Sequence, residues 1–407
     1  MKQYLHSTRI YTRYGVKEGY LEIEDGKILD IKKSCPEGAE VTEYGNQRII
    51  PGIIDVHNHG FGGWSMTDPS TMEDVQGYAK SLLSIGVTGV LPTAKEEAFE
   101  AIADFMDTEY VGARIHGIHS EGPYWARGGE NTVGITWPSP DVKETQRLID
   151  LCKGKMKMMA IAPEVKGAYD VIRLLHENGI KVAACHTKAK AQDIKDAMEE
   201  VGFDIVTHLC NGMQGIHHRD AGALGAFLLE DHVMYELITD LNHVCADMIR
   251  LCFRIQPYDK FCLISDSNYI AGLPIGFYER YGRIMKADED GLIKDVNGRI
   301  CGSGKWVLYN MGQLVNKVGV PMEEVVKMAS LNPVRFVGVE DKLGSIEPGK
   351  LADVVVISDD YECVATYIGG KKVYEAGDDK GYNMEALNIR VDGFDAVVHS
   401  DVKVKDF

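Results

Sequence analysis

The chain has 407 residues, 45% of them hydrophobic, which is the make-up of an ordinary globular protein with a full core. Its 44 basic against 61 acidic residues give a formal charge of −17, arguing against nucleic acid or an acidic membrane as a partner. No window approaches the roughly 18 consecutive apolar residues of a membrane helix.

The first 50 residues read as short strands and turns. The segment YLEIEDGKILDI alternates apolar and polar residues around an Asp25-Gly26 turn, a hairpin signal. The opening MKQYLHSTRIYTRYG is too polar and broken for a secretory signal, and nine cysteines without a CxxC pair suit a reduced, cytoplasmic protein. Cys185 and Cys210, each near a histidine, are read as small apolar filler.

From residue 51 the pattern changes. Eight apolar runs alternate with helix-like stretches: GIIDVHNH, GVTGVLPT, RIHGIHSEG, MKMMAIAPE, IKVAACHTK, FDIVTHLCN, VMYELITDL and KFCLISDSN. AQDIKDAMEEVG predicts one of the helices, with Gly202 past its end. The expected fold is α/β, a (β/α)8 TIM-like barrel over 51–339. An open doubly wound sheet fits less well, because no Gly-rich phosphate loop follows the first run. LADVVVIS and the Gly369-Gly370 hairpin of YIGGKKVYEAG are again β, so 1–50 and 340–407 are expected to build one small β-sandwich domain. The tail from Asp378 to Phe407 carries no assignable pattern.

In such a barrel the chemistry gathers at the C-terminal ends of the strands. Those ends carry His57 and His59, then Glu121, Glu164, His186, His208 and Asp266. In an extended strand residues i and i+2 face the same way, so His57 and His59 address one point. Histidines with carboxylates suit zinc or another borderline divalent ion, iron and manganese included. Such an ion acidifies a coordinated water and polarises a carbonyl, and a neighbouring carboxylate can take the proton and pass it to a leaving amine. Asp266 is the candidate for that role, its alternatives being a simple ligand or a helix cap.

PGIIDVHNHG, HSEGP, IAPE, CHTKA, THLCNGM, HHRDAGALGA, LISD and SLNPVRFVGVEDKLGSIEPGKLADVVVI together resemble the amidohydrolase superfamily, and within it the N-acetylglucosamine-6-phosphate deacetylases. The resemblance implies a metal-dependent, usually homodimeric hydrolase that removes acetyl from the amino group of an amino-sugar 6-phosphate. It implies Glu121, His186 and His208 as main metal ligands, Asp266 as catalytic acid/base, and His57 and His59 as ligands of a second ion present in some members. Asn211 and Gly212 match the sugar contacts, and Arg219 the phosphate-binding arginine, set in a small basic cluster with His217 and His218. Two departures fall in the substrate pocket. YWARGGENTVGITW lacks the histidine that follows EGP in the family, and DLNH replaces DGxH, keeping His243 but not the glycine. A deacylase of other N-acyl substrates is therefore a second reading. A cyclic-amide hydrolase lacks its strand-four lysine here, and a non-catalytic barrel would not be expected to keep all six residues of the metal set.

Overall fold

The computed structural model describes residues 2–129, 135–383 and 385. Eight parallel strands follow one another in space as they do in sequence: Ile53–Asn58, Val87–Ala94, Ile118–Glu121, Met156–Ile161, Lys181–Ala184, Ile205–Val206, Met234–Leu237 and Phe261–Leu263. The first pairs with the second from Ile53↔Val87 onward. The ring is drawn shut where Asp266 N donates to His57 O at 3.0 Å and Asn58 bridges Ser267. Each run is apolar on both faces because both faces are covered. Ile54, Val56, Leu91, Met158, Ala160, Ala183 and Cys185 fill the barrel, while their neighbours Ile53, Val90, Met159, Ile161, Val182 and Ala184 pack under the helices.

Helix ends follow the local chemistry. Thr71 and Asp74 form a capping box on Met72–Ser81, and Asp141 caps Val142–Leu151 through Glu144 N at 2.8 Å. Ala191–Glu200 ends before Gly202, whose φ of +71° suits glycine. The helix Leu331–Val337 closes the N-terminal end of the barrel, Asn332 donating to Phe261 O at 2.8 Å.

Strands from both chain ends form one eight-stranded sheet. Arg48–Pro51 lies antiparallel to Val354–Ile357, which joins the two ends. Period-2 alternation lets this sheet serve two cores. Ile49, Val354 and Val356 pack in the sheet's own cluster, whereas Ile50, Val355 and Ile357 join the barrel's. The expected hairpins turn at Asp25-Gly26 (φ +50° and +77°) and at Gly369-Gly370 (φ +54° and +74°). Of the unassigned tail, Gly381–Asn383 lies along the loop after the first barrel strand, where Trp64 Nε1 donates to Gly381 O at 2.8 Å.

An element the sequence reading did not anticipate follows the eighth strand. Gly276–Arg280, Arg283–Ala287, Leu292–Asp295 and Ile300–Ser303 form a four-stranded antiparallel sheet. Ser303 N donates to Asp266 O at 2.8 Å, so this sheet is anchored to the mouth of the barrel.

Candidate active site

The strand-end residues converge. His57 Nε2 and His59 Nε2 lie 3.3 Å apart, and Asp266 Oδ1 stands 3.4 Å from the first and 3.2 Å from the second. Opposite them, His186 Nε2 and His208 Nε2 are 3.3 Å apart and each is 3.1 Å from Glu121 Oε1. The other oxygen of Glu121, Oε2, sits 3.3 Å from His59 Nε2. One carboxylate therefore faces both groups, one oxygen to each.

These spacings test whether a metal fits. Zinc bonds of 2.0–2.1 Å in tetrahedral geometry set neighbouring donor atoms about 3.3 Å apart. The separations here cluster at that edge length. The donor set agrees: the imidazole nitrogens within each pair point at one another, an arrangement that a shared cation rewards and that neutral rings do not.

The main chain is bent to make this possible. His186, His208 and Asp266 all have positive φ, +43°, +30° and +50°, just past the last paired residues of their strands. Each such conformation costs about 1–3 kcal/mol and survives only where the surroundings enforce it, as at functional sites.

Electrostatics hold the carboxylates of the cluster ionised. Burial works to lower the His57 pKa, but the charges of Glu236 and Asp266 raise it to about 10. Burial would raise the Glu121 carboxyl, yet hydrogen bonds with His186, His208 and His59 hold it well below its usual range. Asp266 is lowered likewise, the charge on His57 and the hydrogen bond to His59 outweighing burial.

Three supporting residues escaped the sequence reading. Glu236, fully buried on the seventh strand, accepts from His57 Nδ1 at 2.8 Å and from the backbone N of His208 at 3.2 Å. It thus fixes which nitrogen of His57 faces the centre of the cluster and touches both of its groups. Its signal was a charge in the middle of the apolar part, VMYELI, of the run VMYELITDL. His119 stacks edge-on to His57 at 4.8 Å with Nδ1 held by Thr93 Oγ1 at 3.0 Å. Asp55 ties Asn58 Nδ2 (3.0 Å) and Ser265 Oγ (2.5 Å) across the barrel seam. Glu236→Gln is expected to weaken metal retention by about 10–100-fold, the range for such supporting groups, as read by competition with a chelator. Unchanged retention removes Glu236 from this role.

Glu164 lies elsewhere than its strand-end position suggested. Its two oxygens accept from Thr187 Oγ1 at 2.7 Å and Lys188 N at 2.5 Å, bracing the segment after His186. Gly212 has φ +60°, and a Cβ there would come within 2.9 Å of His186 Nδ1, so only glycine packs against that ring unstrained. Asn211 Nδ2 donates to His208 O at 3.2 Å. His243 Nδ1 meets Asp240 Oδ2 at 2.7 Å, while its buried Nε2 has no partner among the described residues. Arg219 stands exposed beside the paired rings of His217 and His218, its backbone N on His217 Nδ1 at 3.3 Å. Trp125 stacks on His186 with centroids 4.1 Å apart. In the stretch that lacks the family's histidine, Glu130–Gly134 lie outside the described residues. Cys185 is buried within the barrel, and all nine cysteines are free.

The sequence profile of the Amidohydrolase family matches residues 48–373. The chain belongs to that metal-dependent family. It is 31% identical over 362 residues to the N-acetylglucosamine-6-phosphate deacetylase of Vibrio furnissii, covering 87% of this chain and 90% of that one. It is 30% identical over 380 residues to an N-acetylgalactosamine-6-phosphate deacetylase of Escherichia coli O157:H7, covering 91% and 99%. The crystal structure of the Pasteurella multocida N-acetylglucosamine-6-phosphate deacetylase superposes with a TM-score of 0.83 at 25% identity, over 91% of this amidohydrolase and 99% of its counterpart. A Mycobacterium smegmatis deacetylase variant solved with N-acetyl-D-glucosamine-6-phosphate gives 0.82 at 26%, again over 91% of this chain and 99% of the other. No helix among the described residues is long and apolar enough to cross a membrane.

Proposed function

We propose that this amidohydrolase removes the N-acetyl group from an amino-sugar 6-phosphate, N-acetylglucosamine 6-phosphate first among them. The observation that carries the reading is Glu121, with one oxygen toward His186 and His208 and the other toward His59. A divalent ion, or two, held by His57, His59, Glu121, His186, His208 and Asp266 would supply an acidified water and a polarised amide carbonyl.

The rest falls to the chain's own groups. Asp266, kept ionised, takes a proton from the attacking water and returns it to the amide nitrogen, which leaves as an amine. Asn211 and Gly212 line the side of the mouth where the sugar lies. Burial tends to lower the His243 pKa, but the hydrogen bond and charge of Asp240 raise it, and its Nε2 is the nitrogen left to meet the substrate. The reading includes zinc as the first metal to test, a homodimer and a cytoplasmic location. It also includes a barrel unit of 51–339 and a β unit of 1–50 with 340–407, which the pairing of Arg48–Pro51 with Val354–Ile357 supports. The Escherichia coli relative favours a second substrate, N-acetylgalactosamine 6-phosphate.

Acetate release from the two sugar phosphates and their unphosphorylated forms tests this directly. Arg219 is assigned to the phosphate because a guanidinium grips it with two parallel charge-assisted hydrogen bonds. Arg219→Ala is expected to raise KM for the phosphorylated sugar at least tenfold and to leave the unphosphorylated one nearly unaffected. Equal kcat/KM for phosphorylated and plain sugar in the wild type would dismiss both the phosphate and this role.

A further inference from the structure

Lys95 directly follows the second barrel strand, Val87–Ala94. Ala94 is in register with Ser120 on the third strand, so the next step of that ladder sets Lys95 beside Glu121 at the catalytic end. Its backbone N donates to Met66 O at 3.2 Å, and Met66 N donates to His59 O at 2.9 Å, which ties this corner to the His57–His59 side of the cluster. Among the described residues the Lys95 ammonium has no hydrogen bond or ion pair. Desolvation lowers its pKa, and the nearby cation Arg283 adds to that.

The unanticipated four-stranded sheet contributes to the same corner. Asp68, buried in the loop after the first strand, meets Arg280 Nε at 3.2 Å and Arg283 Nη1 at 3.9 Å. One carboxylate thus faces two guanidinium groups, with Glu97 and Glu121 of the central cluster the other acids whose charges reach Lys95. Arg280 lies over the ring of Tyr269 at 5.6 Å. Tyr269 is 5% exposed, and its hydroxyl has no partner among the described residues. In a protein of charge −17, a corner with three cations and an unused hydroxyl is suited to an anion.

Its place around the ring says which part of the substrate it meets. The strands run round the barrel in sequence order, so the ends of the second and sixth strands lie across the mouth from one another. Asn211, Gly212 and Arg219 follow the sixth strand, Ile205–Val206; Lys95 follows the second. A substrate with its sugar phosphate on the former side and its amide over the central cluster extends its acyl group toward Lys95.

We propose that Lys95, backed by Arg280, Arg283 and Tyr269, binds a carboxylate at the far end of the substrate's acyl group, so that the site takes, besides acetyl, the acyl group of a short dicarboxylic acid such as succinyl. The inference rests on the amide-hydrolase reading above and adds its acyl specificity. Water adds to the amide carbonyl carbon, the C–N bond breaks, and the nitrogen leaves as the amine after gaining a proton. The acyl carbon becomes a second carboxylate, giving the dicarboxylate and the amino-sugar phosphate.

The test uses the metal-loaded enzyme with N-acetyl- and N-succinyl-glucosamine 6-phosphate, in the wild type and in Lys95→Met, a change of an exposed side chain. The wild type is expected to hydrolyse both sugars. The succinyl-to-acetyl ratio of kcat/KM is expected to fall about tenfold or more in Lys95→Met, the loss of one charge-assisted hydrogen bond. Hydrolysis of the N-acetyl sugar with a ratio that Lys95→Met does not move overturns the inference and leaves the deacetylase reading standing. Hydrolysis of neither sugar overturns both.

Discussion

Asp266→Asn is expected to keep the fold and most of the bound metal while kcat drops at least 10²–10⁴-fold, the range for a general acid–base group. The fold should hold because Asp266 sits at φ +50°, a conformation asparagine adopts as readily as aspartate. The backbone contacts that seat it, to His57 O at 3.0 Å and from Ser303 N at 2.8 Å, do not involve the side chain. Metal should largely stay because His57, His59 and Glu121 remain. What is lost is the proton site: an amide oxygen at the position of Oδ1, 3.2 Å from His59 Nε2, cannot accept and return a proton. Turnover and metal content are measured on the same preparation. Near wild-type turnover removes Asp266 from catalysis, and loss of metal in step with activity makes it a ligand first.

Glu121→Ala should abolish activity by more than the roughly 10²-fold that an outer supporting group produces. The reason is its position between two groups, with Oε1 3.1 Å from both His186 Nε2 and His208 Nε2 and Oε2 3.3 Å from His59 Nε2. Removing it leaves buried imidazoles facing one another without the carboxylate that balances them. A bridging role predicts that metal falls at both positions together, whereas His186→Ala should empty mainly the one it shares with His208. Elemental analysis of the two variants separates these cases. Full metal content in Glu121→Ala would show that the carboxylate serves neither position.

The eight apolar runs, six of them closing on a histidine or a carboxylate, determined the barrel and the list of candidate ligands. This worked because a strand buried on both faces must be apolar along its length, so a charge at its end stands out. The two β-rich ends were legible for a similar local reason: alternation and Gly-containing turns are written in adjacent residues. What the sequence could not say was which strand-end residues meet. Glu121 and Glu164 look alike in one dimension, yet the first enters the cluster and the second braces Thr187 and Lys188. Glu236 reads as an oddity in an apolar run, and only closure of the barrel brings the seventh strand's carboxylate 2.8 Å from a histidine on the first. Gly212 was assigned to substrate, while its packing against His186 depends on a φ and a distance that no local pattern carries. The sheet of 276–303 and the cationic corner at Lys95 were likewise decided by tertiary structure. Periodicity fixes which face a side chain takes along its own strand, whereas contacts across a barrel depend on ring order, register and the bends past the strand ends.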